Sequence, residues 1–154
     1  MKYSSVVGCS RSPSYKGYVP VTEEEATAFV EQLVERTSQG DTSWVLGISE
    51  DIDSIVAIYT VAGLDVPNMF RDLTPEERAS LNEVNGEYTQ WLSQNVKEVK
   101  LKEIKEIGNT YVAVIGFVVR GKEGAADVEQ EDRLTFLKKR NTGEIVIAGI
   151  GEGW

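Results

Sequence analysis

Over the last third of the chain, Val96–Trp154, the order of apolar and polar residues predicts an antiparallel β-meander. From Tyr111 to Val119 the chain is apolar on both alternating faces, the signature of a strand covered on both sides. Gly108-Asn109 marks the turn before it, and Gly121-Lys122-Glu123-Gly124 the turn after it. The next strand runs roughly from Asp127 to Lys139. Val128, Leu134 and Phe136 share one face of it, and Glu129, Glu131 and Arg133 the other. Asn141-Thr142-Gly143-Glu144 turns the chain again, and β-branched Ile145–Ile150 closes the sheet. The segment from Val96 to Ile107 is less regular. Its apolar residues Val96, Val99, Leu101, Ile104 and Ile107 follow neither period two nor helical spacing. A β-bulge near Lys102 makes it a strand, because one extra residue flips the facing. The alternative is that the preceding helix runs on to about Glu98.

Upstream, the period changes to that of helices. Thr22-Glu23-Glu24-Glu25 is a capping box, and Ala26, Phe29, Val30, Leu33 and Val34 recur at helical spacing up to about Ser38, with Gly40 as stop. Trp44-Val45-Leu46 calls for burial. Ile52, Ile55, Val56 and Tyr59 also have helical spacing, opened by Ser49 or Asp51, although Ile55–Val61 is rich in strand-forming residues. A helix is the expectation there. Thr74-Pro75-Glu76-Glu77 starts a further helix, with Leu81, Val84, Tyr88, Trp91 and Leu92 as its expected buried stripe. Gly86 within it suggests a kink or a close approach to the sheet. The expectation is an α+β fold, with N-terminal helices packed on a curved antiparallel meander. Residues 1–20 form an arm or tether and residues 21–154 a single domain.

Composition narrows the chemistry. With 154 residues, 27% charged and 41% hydrophobic, the chain is long enough for one unstapled core. Its 25 acidic against 16 basic residues give a net charge of −9, which argues against nucleic acid as partner. Histidine is absent and cysteine occurs once. Ser-His-Asp and Cys-His arrangements, histidine metal sites, cysteine zinc sites and intrachain disulfides are thereby excluded. Glu50, Asp51 and Asp53 lack the glycine and spacing of a calcium loop and read instead as charge at a helix N-terminus. No cofactor or metal is expected. No stretch reaches the roughly 20 apolar residues of a membrane span.

Residues 1–20 contain no acidic residue and are rich in Ser, Gly, Tyr and Pro. Within them Val6-Val7-Gly8-Cys9-Ser10, followed by Arg-Ser-Pro-Ser, resembles the lipobox of bacterial lipoproteins, in which the cysteine carries the lipid. Only eight residues precede Cys9, without an apolar core, so lipidation requires a longer precursor. On that reading the chain is extracytoplasmic and membrane-anchored through Cys9. Otherwise it is cytoplasmic, and Val6-Val7 docks as an edge strand.

The element order, together with the Gly40-Asp41 ending of the first helix, resembles the nuclear transport factor two-like (cystatin-like) superfamily over Val21–Trp154. That resemblance implies a sheet wrapped around helices as a cone with an internal cavity, and dimerisation through the outer sheet face. Members that act on small molecules place a tyrosine, aspartate or histidine inside the cone. This chain has Phe29 on the first helix and no histidine.

Trp44, Tyr59, Phe70, Tyr88, Trp91, Phe117 and Phe136 are the candidates to line a small apolar-ligand cavity, with Arg133 or Arg71 as anion anchor; the same aromatics also suit a plain core. Lys138-Lys139-Arg140 reads as an exposed basic turn. Three functions are carried forward. The first is a non-catalytic module binding a protein partner or a second copy. The second is an acidic immunity-type inhibitor of a cationic toxin. The third is an isomerase or hydrolase using Glu129, Glu131 or Asp132 as a base of raised pKa.

Overall fold

The computed structural model describes residues 17–48 and 52–150. In chain order the elements are β1 (Tyr18–Pro20), α1 (Glu23–Ser38), a 3₁₀ turn (Ser43–Gly47), α2 (Ile52–Ala62), a second 3₁₀ turn (Asn68–Phe70), α3 (Pro75–Asn95), β2 (Val96–Ile107), β3 (Thr110–Val119), β4 (Val128–Lys139) and β5 (Ile145–Ile150). This is an α+β fold, with helices packed on a curled antiparallel sheet. The expected meander is present, and the segment expected as an arm joins the sheet from Tyr18 onward.

β4 is the hub. Leu134 pairs with both Ala113 of β3 and Gly149 of β5, so those strands take its two edges. Leu137 pairs with both Pro20 and Val146, so β1 follows β3 on the same edge. β2 then pairs with the far side of β3.

β2 is a strand throughout, and two irregularities reconcile its pattern. The register passes from Val96↔Val119 to Glu98↔Val118, and again from Leu101↔Ile115 to Glu103↔Val114. Lys97 and Lys102 are therefore the extra residues. Each converts a spacing of three into same-face neighbours, so Val96, Val99, Leu101 and Ile104 all stand beside Val119, Phe117, Ile115 and Ala113. The bulge at Lys102 matches the expectation. The one at Lys97 is new.

Every residue of β3 except Tyr111 and Val118 is buried, and the sheet is covered twice. On one face Ala26, Val30 and Leu33 of α1, Trp44 and Val45 of the first 3₁₀ turn and Leu92 of α3 pack on Ala113, Ile115, Phe117, Leu134 and Phe136. Phe29 meets Phe136 edge-on at 5.7 Å, and Trp44 stacks on Phe117 at 6.1 Å. On the other face Ile52, Ile55, Ala57, Ile58 and Val61 of α2 pack with Leu137 and Ala148. Adjacent β4 residues Phe136 and Leu137 thus belong to different cores. α2 is helical despite its β-branched residues, because a stripe at i, i+3 and i+6 is what this face requires.

Local contacts hold the layers. The Thr22 amide donates to Glu25 Oε1 (2.9 Å) and the Glu25 amide to Thr22 Oγ1 (3.1 Å), which starts α1 as expected. Lys138 Nζ reaches the same carboxylate at 3.1 Å and ties this end to β4. The Thr22 amide, and after it Lys138, hold the Glu25 carboxyl below its ordinary range. At the far end of α2 the hairpin residue Gly108 has φ +55°, and a Cβ there would lie 1.6 Å from the Ala62 carbonyl oxygen. Asn109 N–H donates to that oxygen at 3.1 Å, so only glycine lets the hairpin close on the helix. Gly86 meets nothing within 4 Å, so of the two alternatives expected for it the close approach to the sheet is not present.

Thr135 is fully buried on the α2 side, and its Oγ1 has no hydrogen-bond partner among the described residues. Thr135→Val keeps the shape and removes a desolvated hydroxyl. Urea unfolding should show a gain of about 1 kcal/mol at unchanged m-value; a loss of stability would mean that the hydroxyl is satisfied.

Candidate functional site

The aromatic candidates do not converge on one cavity. Phe117 and Phe136 are fully buried in the α1-side core, where Trp44 is stacked on Phe117. Tyr59 and Phe70 lie in the other layer, with ring centroids 6.5 Å apart. Tyr88 and Trp91 are at the surface. Arg133 pairs with Val114 and Ile150, and so shares its sheet face with Val114, opposite to Phe117. Its Nε is buried without a hydrogen-bond partner among the described residues. Arg71 is exposed, and its Nε donates to the Val66 carbonyl at 2.8 Å instead of pointing inward. Lys138 and Lys139 are engaged by Glu25 and Glu144. Cys9 and the rest of the lipobox-like segment, Ser49, Glu50 and Asp51 lie outside the described residues.

A cleft of about 350 Å³ opens between α1, the first 3₁₀ turn and β5, bordered by Phe29, Leu33, Trp44, Ile145 and Ile147. Of the predicted aromatics, Trp44 alone lines it. Its position is set by a buried relay: Trp44 Nε1 donates to Thr37 Oγ1 (2.8 Å), which donates to the Leu33 carbonyl (2.8 Å). Leu46, expected inside with Trp44 and Val45, is exposed instead. The cations at the rim are already engaged. Arg36 donates to Asp41 Oδ2 (3.1 Å) and Ser43 Oγ (3.3 Å), and Lys139 lies 3.2 Å from Glu144. Asp41 also accepts from the Ser43 hydroxyl (2.7 Å) and amide (3.0 Å), so it joins the end of α1 to the 3₁₀ turn.

Two of the three candidate carboxylates of β4 face water, and the third, Asp132, is half-buried against Tyr88. Glu129 and Glu131 are exposed. Lys102 reaches across β3 to Glu131 at 2.7 Å, and it can do so because Gly116 lies beneath: a Cβ there would stand 2.8 Å from Lys102 Cε. Lys102 holds the Glu131 carboxyl below its ordinary range, the opposite of what a general base requires. Among the described residues no group of three or more acidic, cysteine or histidine side chains is placed to hold a metal, and no helix is long and apolar enough to cross a membrane.

α3 presents the surface that the pattern did not foresee. Of the stripe expected to be buried, only Leu92 is fully covered and Leu81 partly so. Val84, Tyr88 and Trp91 are 57%, 46% and 44% exposed. Polar residues select the inward arc. Thr89 Oγ1 donates to the Ile48 carbonyl (2.9 Å), and Asn82 Oδ1 accepts from the Ile52 amide (2.7 Å) at the start of α2. At 100° per residue those bonds turn Val84 and Trp91 outward. Tyr88 and Trp91 stack at 6.0 Å. Gln130 Nε2 donates to Tyr88 Oη (3.2 Å), which lies 3.5 Å from Asp132 Oδ2. Burial, then the Asp132 charge, raise the Tyr88 phenol above its ordinary range.

No family model, curated protein or solved structure matches this chain.

The Ser43 hydroxyl first, then its amide and Arg36, lower the Asp41 carboxyl to about 2 from an ordinary 3.8. Its stabilisation is complete above the ordinary value and is lost as pH falls through about 2. Carbon-detected NMR should therefore give an Asp41 titration midpoint near 2. Asp41→Asn should also lose less stability than the wild type between pH 4 and pH 2; equal losses would show the carboxylate to be unheld.

Proposed function

We propose that this chain is a non-catalytic binding module that docks a protein partner on the outward face of α3. The observation that carries this is the stacked Tyr88–Trp91 pair, left in water beside Val84 while both cores are complete without it. Aromatic side chains lose little conformational freedom on docking and dominate interface energies, so a rigid exposed pair suits a contact surface. The position of the pair supports the same reading. It lies on a 21-residue helix fixed by a capping box at Thr74 and by hydrogen bonds to its neighbours, so the surface is preformed. The nuclear transport factor two-like architecture that the sequence resembles is a scaffold used by both binding modules and enzymes, so the resemblance leaves room for this reading. A lipid on Cys9 would hold the module at a membrane without involving α3.

The acidic inhibitor is the second reading, and the net charge of −9 favours it. A carboxylate-base enzyme has less support, since Glu131 is exposed and held ionised by Lys102.

Tyr88→Ser/Trp91→Ser removes the pair without opening either core. Affinity capture from the native cell should recover a partner with the wild type and lose it with the double variant, while the melting temperature moves by only about 2 °C. Equal capture by both proteins would place the partner elsewhere.

A further inference from the structure

Resting on that reading, we infer that the partner of α3 is a basic amphipathic segment, whose apolar residues cover Val84, Tyr88 and Trp91 while its Lys or Arg side chains meet the helix carboxylates beside them. On the helix, Glu83 and Glu87 are exposed, and Glu87 stands one turn from both Val84 and Trp91. Between Leu81 and Asn95 the helix carries no Lys or Arg, so no basic residue of α3 itself offsets these charges there. The basic residue nearer its start, Arg78, is paired with Asp53 at 2.6 Å.

Charge also decides between occupants. A second copy packed on this face would set Glu83 and Glu87 against their own counterparts, which is repulsive. An anionic membrane surface is repelled for the same reason. A cationic segment gains from the same glutamates, and a guanidinium or ammonium can also lie on the exposed ring faces. The exposed stretch from Val84 to Trp91 covers about two helical turns, roughly 10 Å, which matches a short amphipathic helix laid across it.

The test uses the full chain and a synthetic amphipathic helix of leucine and lysine, about 18 residues long, with a leucine–glutamate helix as counterpart. By calorimetry the Leu/Lys helix should bind and the Leu/Glu helix should not, with affinity falling as salt rises. Glu83→Gln/Glu87→Gln should weaken binding roughly five- to tenfold, and Trp91→Ser by at least as much. Glu31→Gln/Glu35→Gln, the same charge change on the exposed side of α1, should stay within about twofold.

Equal effects of the two glutamine pairs would overturn the inference, because the peptide would then be reading net charge alone. So would absence of Leu/Lys binding, or self-association abolished by Trp91→Ser, which would make a second copy the occupant. If the Leu/Lys helix fails while Tyr88→Ser/Trp91→Ser still abolishes native capture, α3 remains the docking face and only its cationic specificity falls. Capture that survives the double variant removes the docking reading itself.

Discussion

β3 is apolar on both faces, and a strand of that kind has to be covered twice. The rest of the fold answers that requirement. α1 and the Trp44 turn cover one face, and α2 covers the other at the β5 end. Where no helix reaches, the stems of Lys100 and Lys102 lie over Gly116. The glycines at 108 and 116 serve the same constraint from opposite ends. One lets a hairpin close on α2, and the other lets a lysine cross the strand to Glu131.

Much of this was legible in the residues. Capping boxes at Thr22 and Thr74 state their helix starts, because the side chains that satisfy the first amides lie three residues apart in sequence. The meander was legible because period-two alternation and glycine turns are local signals. The bulge at Lys102 could be inferred from a phase error in the apolar pattern. Its twin at Lys97 could not, since a strand start one residue off looks the same as a helix end. Which layer each aromatic joins was hidden as well. Phe70 and Phe117 are both aromatic in sequence, and only the side of the sheet on which α2 packs separates them.

The burial of the α3 stripe was misread for a definite reason. A helical stripe of Leu81, Val84, Tyr88, Trp91 and Leu92 spans about 100°, an arc that one packing surface can cover, yet only its Leu81 and Leu92 side is turned inward. Hydrophobicity alone does not say which side. Two polar side chains decide it: Thr89 and Asn82 bond to the carbonyl of Ile48 and the amide of Ile52, and those bonds fix the rotation of α3. Residues that a pattern search counts as exposed are therefore the ones turned inward.

The two large surfaces also differ in how far their groups are already matched. On the outer sheet face Lys102 pairs with Glu131, and at its end Lys97 pairs with Asp127, both at 2.7 Å, with the Lys102 stem lying over Gly116. Such a surface gains little from a partner, since docking would desolvate ion pairs that water already accommodates. The α3 face is in the opposite state. Its aromatic pair keeps more than two-fifths of its surface in water, and the neighbouring glutamates have no basic residue beside them on the helix. Burying the rings releases water, and a cation brought alongside meets unopposed charge, so both contributions favour association. On the proposed reading the interaction surface therefore lies on the helix that was expected to be core, and not on the outer sheet face that the family resemblance implies.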